Sequence, residues 1–167
     1  MAINKGEYPT CALATGTSAF SARKVLISAC LLGEYCRYDG ATKKDNAVIE
    51  AFKNDEIIPF CPEAPVLGTP RERISVVYKD KQYRVITDES QKDVTRLIEE
   101  QVDIQVKNHP DLEIIVLKSK SPSCGLGTTP ILNENRQVLM YDDGIAASRL
   151  KEKYPNIKII SEKELVC

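Results

Sequence analysis

Short apolar runs, each followed by a polar, turn-rich stretch, recur along this chain. Val25-Leu26-Ile27-Ser28-Ala29, Ile57-Ile58-Pro59-Phe60 and Ile114-Ile115-Val116-Leu117 are apolar and rich in β-branched residues. That is the pattern of strands buried on both faces of a parallel sheet. Residues 158–160 read as a fourth strand. Between these runs the apolar period changes to that of helices. Asp45 is placed to cap a helix through Ala47, Val48, Ile49, Ala51 and Phe52. Residues from about 91 to 108 put Val94, Leu97, Ile98, Val102 and Val106 on one face, and His109-Pro110 ends the pattern. A further helix is predicted from about 144 to 154, and Ser161 with Glu164 makes a capping box for a short last one. Residues 74–87 alternate in parts and break at Lys79-Asp80-Lys81, which predicts a hairpin; residues 130–140 predict a second around Asn133-Glu134-Asn135. Helices alternating with buried strands give an α/β fold: a single domain with a mainly parallel, Rossmann-like sheet, helices on both faces and hairpin insertions.

Composition narrows the function classes. The 167 residues are 43% hydrophobic with a net charge of −1, enough for one normal core and too neutral to favour a nucleic-acid polymer or an anionic membrane. No run approaches the ~18 apolar residues of a membrane span. Residues 1–23 are Ala/Ser/Thr/Gly-rich and lack the ~7–15-residue apolar core of a signal peptide. They are expected to form a flexible extension ahead of a domain over 24–167. Without an export signal, the six cysteines are expected in a reducing cytoplasm, where clustered thiols more often bind metal or catalyse than form disulfides. Cys11 and Cys167 are expected to be incidental.

Cys30, Cys61 and Cys124 each come at or shortly after the end of a predicted central strand. Ligands in open α/β sheets bind outside the carboxyl ends of the strands, so one parallel sheet would bring these three thiols together. Three thiolates hold a metal or cluster and leave one coordination position open. There is no C-x-x-C pair and the only histidine is His109, which rejects the commonest zinc template. A Zn–Cys₃ site and an iron–sulfur cluster both remain open on this pattern. Against them stands simple burial, since free cysteine is among the most buried residue types. Cys36, in the loop after the first strand, reads as a fourth ligand, a resolving thiol or packing. A phosphatase-type cradle from Cys30 to Arg37 ranks low, because six residues separate the two where that motif has five.

Glu63 lies two residues beyond Cys61, with Pro62 stiffening the link; a carboxylate beside a substrate-binding metal can act as general base toward water. Ser121 stands similarly near Cys124 and can donate a hydrogen bond or move a proton. Arg37, Asp39 and Arg71 are supporting candidates that form ion pairs bracing the loops. Lys118 and Lys120 favour thiolate formation nearby or form a solvated face.

Ser28-Ala29-Cys30-Leu31-Leu32-Gly33 with Cys36-Arg37-Tyr38-Asp39-Gly40, then Cys61-Pro62-Glu63, Gly68-Thr69-Pro70-Arg71 and Ser121-Pro122-Ser123-Cys124-Gly125 together resemble the DUF523 family, whose characterised members are thiouracil desulfurases. The resemblance runs from about residue 24 to the C-terminus, with the motifs in the same order. It implies a [4Fe–4S] cluster held by Cys30, Cys61 and Cys124, with Glu63 and Ser121 catalytic. It further implies non-redox desulfuration of a small thiolated nucleobase such as 2-thiouracil: sulfur binds the open iron and water attacks the thiocarbonyl carbon. A sulfur acceptor or cluster-assembly protein is the partner such chemistry calls for. Ala64-Pro65-Val66-Leu67 departs from the glycine-rich stretch that many members carry there. Two other classes fit the same cysteines: a non-catalytic Fe–S or thiol redox sensor, which has no need of Glu63, and a Zn–Cys₃ hydrolase.

Overall fold

The computed structural model describes residues 22–165. The expected extension, except its last two residues, and the placements of Cys11 and Cys167 lie outside the described residues. Four strands, β1 (Lys24–Ser28), β2 (Glu56–Phe60), β5 (Ile114–Leu117) and β8 (Lys158–Ser161), form one sheet in the order β2-β1-β5-β8. Every pair in it is parallel, as the continuous apolar runs predict. Pro59 is tolerated because β2 is an edge strand, where a missing N–H breaks no ladder.

Helices cover both faces. On one, α1 (Asn46–Ala51) packs Val48, Ala51 and Phe52 against Val25, Ile27, Ile114 and Val116. Asp45 caps α1 as expected, its carboxylate accepting from the amides of Ala47 and Val48 at 3.0 and 3.2 Å. On the other face, α3 (Thr95–Asn108) and α4 (Ile145–Lys153) pack Ile98, Val102, Ala146 and Leu150 against Leu26, Ile115 and Leu117. The short α2 (Ala64–Leu67) occupies the stretch after Glu63, with Pro65 in its first turn. That position suits proline because the first helical amides have no intrahelical acceptor. Ser161 and Glu164 form the expected capping box, on a 3₁₀ turn.

Two findings depart from the pattern reading. The helix expected from about residue 91 begins at Thr95. Residues 91–94 are instead tied to β4 (Gln82–Thr87): the Val94 amide donates to the Val85 carbonyl at 2.9 Å, and the Thr95 hydroxyl accepts from the Val85 amide at 2.8 Å. Both hairpins exist, as β3 (Ile74–Lys79) with β4, and β6 (Thr129–Leu132) with β7 (Val138–Asp142). They are not separate insertions. β3 pairs with β6 in parallel, which makes a second four-stranded sheet in the order β4-β3-β6-β7. Its apolar residues Ile74, Val76, Val85 and Ile131 share the core with α3, α4 and the parallel sheet.

The carboxyl edge of β5 and β8 is locked by a buried acid. Glu162, 5% exposed, accepts from the Ser119 amide (2.7 Å), the Ser119 hydroxyl (2.6 Å) and the Ser161 hydroxyl (2.9 Å), and pairs with Lys118 Nζ at 3.4 Å. Burial opposes its ionisation, but the Ser119 hydrogen bonds, Lys118 and Ser161 together hold its carboxyl below the ordinary value of 4.5. A folded-state pKa lowered in this way contributes stability above the unfolded value that is lost as pH falls through the folded one. Glu162→Ala strands these donors and is expected to cost about 2–4 kcal/mol. Denaturant unfolding at pH 7 and below pH 4.5 checks this: the wild type should lose its advantage over the variant on the acid side.

Candidate active site

A cavity of about 740 Å³ opens at the carboxyl edge of the parallel sheet and extends toward the second sheet. Cys30, Cys36, Cys61 and Cys124 all line it, with Glu63, Ser121 and Ser123. The three strand-end cysteines therefore share one cavity, on the side of the sheet that the topology predicts. Cys30 sits in a 3₁₀ turn, Ala29–Leu32, directly after β1. Its carbonyl accepts from the Lys43 amide and the Thr42 hydroxyl at 3.0 and 2.9 Å, which fixes the loop against the strand end. Gly33, at φ 98°, ends the turn in the left-handed region that only glycine adopts freely. Cys61 directly follows β2, and its sulfur accepts from the Ala64 amide at 3.4 Å. Cys124 follows β5 through a loop turned back on itself, where the Ser121 hydroxyl accepts from the Cys124 amide at 3.0 Å.

The thiols form a coupled set. Cys36 hydrogen bonds to both Cys30 and Cys61. Its hydrogen bond holds Cys30 below the ordinary thiol range; burial opposes this and Lys118 assists. Cys36 itself is pushed up to about 11, chiefly by that bond to Cys30. Cys61 is raised by its hydrogen bond with Cys36 and then by burial. Cys124 is pushed up to about 12 by burial, with the charges of Cys61 and Glu63 adding to it.

Glu63 is 8% exposed and both its oxygens are held. The Ser123 hydroxyl donates to Oε1 at 2.5 Å, and Arg71 donates to Oε2 through Nη2 at 2.8 Å and Nε at 3.3 Å. Arg71 also donates through Nη1 to the Gly68 carbonyl at 2.9 Å, so its guanidinium is fixed to the Gly68-Thr69-Pro70 loop. Arg37 reaches the cavity wall. Asp39 does not line the cavity: it accepts from the Ala41 amide at 3.0 Å and lies 3.9 Å from Arg37, bracing the turn. Lys43, Arg73, Lys118, Lys120 and Lys163 add positive charge around the cavity against a single further acid, Asp88. That excess of positive charge favours an anion inside the cavity.

Ser123 is the site residue that the sequence pattern missed. The two serines of Ser121-Pro122-Ser123-Cys124 are equivalent on paper, and the fold separates their roles. Ser123 is 1% exposed and touches Glu63; Ser121 holds the Cys124 amide. The start of α4 fixes the loop, with the amides of Ala146 and Ala147 donating to the Ser123 carbonyl at 2.9 and 3.1 Å. Gly144 passes so close that a Cβ there would lie 2.4 Å from that same oxygen.

The cavity offers a metal group three strand-end cysteines as soft donors. Among the described residues no three His, Cys, Asp or Glu side chains converge as a single ion requires. One Zn²⁺ draws its sulfurs to about 2.3 Å from one point. Iron–sulfur clusters are held by thiolates, and three thiols placed around a cavity match that chemistry.

Fold and site together give an α/β domain with a cysteine-lined cavity at the carboxyl edge of its parallel sheet. The 2-thiouracil desulfurase family model matches residues 25–164. The chain belongs to that family, and it is a desulfurase by class. A solved structure of the [4Fe-4S]-dependent thiouracil desulfidase TudS superposes with a TM-score of 0.69 at 32% identity, covering 86% of this chain and 93% of that one. The uncharacterized protein YbbK of Bacillus subtilis (strain 168) is 28% identical over 155 residues, 84% of this chain and 97% of its own length. No helix among the described residues is long and apolar enough to cross a membrane.

Proposed function

We propose that this protein removes sulfur from a small thiolated nucleobase such as 2-thiouracil, in the cytoplasm, by a [4Fe–4S]-dependent reaction with no net redox change. The observation that carries the reading is the meeting of three strand-end thiols and a doubly held carboxylate in one cavity. Cys30, Cys61 and Cys124 would hold the cluster. When bound, a cluster with three protein ligands supplies a soft Lewis-acidic iron suited to a thiocarbonyl sulfur.

The remaining chemistry falls to the chain's own residues. Glu63 accepts the proton of the attacking water. Arg71 and Ser123 keep its carboxylate from rotating. Ser121 accepts two amides, from Cys124 and Ser123, so its hydroxyl proton is left to donate. Arg37 supports the wall of the site. Carbon loses sulfur and gains oxygen, so the product is the carbonyl base and the sulfur leaves as sulfide, to a low-molecular-weight or protein acceptor.

Anaerobic purification with iron and acid-labile sulfide analysis, followed by incubation with 2-thiouracil, tests cofactor and reaction together. The expected result is about four irons and four sulfides per chain and release of uracil. Zinc without labile sulfide would point to a Zn–Cys₃ hydrolase. A loaded cluster with no desulfuration of any thiolated base would favour the sensor reading.

A further inference from the structure

We infer that Ser123 is a positioning residue for the desulfuration, holding Glu63 in its working rotamer and linking it to Ser121. The inference rests on the reading of Glu63 as the base. A carboxylate at the end of a three-torsion side chain samples several rotamers unless both oxygens are engaged. Here Arg71 engages Oε2 at 2.8 Å and Ser123 engages Oε1 at 2.5 Å. The two restraints come from different parts of the fold, one from the loop before β3 and one from the loop after β5.

The direction of the hydroxyl chain follows from proton counting. A serine hydroxyl has one proton. That of Ser123 goes to Glu63, because an ionised carboxylate only accepts. The 3.3 Å contact between the hydroxyls of Ser121 and Ser123 is therefore donated by Ser121. This orders Ser121, Ser123 and Glu63 into one chain with Ser123 in the middle. The backbone beneath Ser123 is fixed, since α4 grips its carbonyl through two amides and the residue is 1% exposed.

The test compares anaerobically reconstituted wild type, Ser123→Ala, Glu63→Gln and the double variant. Ser123→Ala should keep wild-type iron and sulfide and a near-normal KM, while kcat falls about 10–100-fold, the size of one lost hydrogen bond to a charged group. In the Glu63→Gln background the same change should slow turnover no further. Infrared spectra of protein labelled with ¹³C-glutamate, with the Glu63 band identified by its absence in Glu63→Gln, should show that band shifted in Ser123→Ala. Wild-type turnover with an unmoved band, additive losses in the double variant, or loss of iron in Ser123→Ala each overturns the assignment. Normal turnover by Glu63→Gln is a different failure: it removes the base itself, and the role of Ser123 with it. Should Ser123→Ala not fold, a crystal structure of cluster-loaded wild type decides. The Ser123 hydroxyl must stay within hydrogen-bonding distance of Oε1, and a rotamer turned away from Glu63 overturns the inference.

Discussion

Cys30→Ser, Cys61→Ser and Cys124→Ser should each purify anaerobically without the brown chromophore, or with iron and labile sulfide sharply depleted, while Cys36→Ser keeps both. Each of the three follows a different strand of the parallel sheet and lines the same cavity. Replacing one removes a soft ligand and puts a hard hydroxyl in its place. Cys36 differs. It comes from the loop beyond the 3₁₀ turn, follows no strand of the sheet, and its carbonyl accepts from the Cys61 thiol at 3.9 Å. Iron and sulfide content of the four variants is the measurement. Full occupancy in Cys61→Ser would remove that residue from the ligand set, and depletion in Cys36→Ser would require a fourth ligand.

Glu63→Gln should separate chemistry from cofactor binding. The amide keeps the size of the side chain; its one oxygen can still accept from Arg71 while its NH2 donates to the Ser123 hydroxyl, but it takes up no proton near neutral pH. Loss of a general base is worth about 10²–10⁴-fold in turnover. The cluster absorbance should be unchanged, because the three thiols are untouched. Turnover must be compared at equal iron and sulfide content. A rate near wild type would exclude Glu63 and move attention to a bound hydroxide.

The parallel sheet was readable because runs such as Ile114-Ile115-Val116-Leu117 are buried on every side, and burial on both faces leaves an unambiguous mark on sequence. The Asp45 cap and the Ser161–Glu164 box were readable because their partners lie within three residues. What was hidden depends on distant neighbours. Residues 91–94 have a helical pattern, yet β4 takes the Val94 amide. The pairing of β3 with β6 joins two hairpins that each look complete alone. Arg71 was legible as a bracing cation, but its partner, eight residues earlier, was not. Ser121 and Ser123 could be told apart only once α4 was seen to hold the loop.

The register of the parallel sheet also sets an order of assembly. β1 and β2 join through one short helix, so Cys30 and Cys61 come together early as the chain emerges. Cys124 joins them only when β5 docks on β1, where the Lys118 amide meets the Ser28 hydroxyl across ninety residues of sequence. Closing so long a loop is slow compared with local pairing. Cys124 is residue 124 of 167, so the three-thiol wall of the cavity closes only after most of the domain has been made.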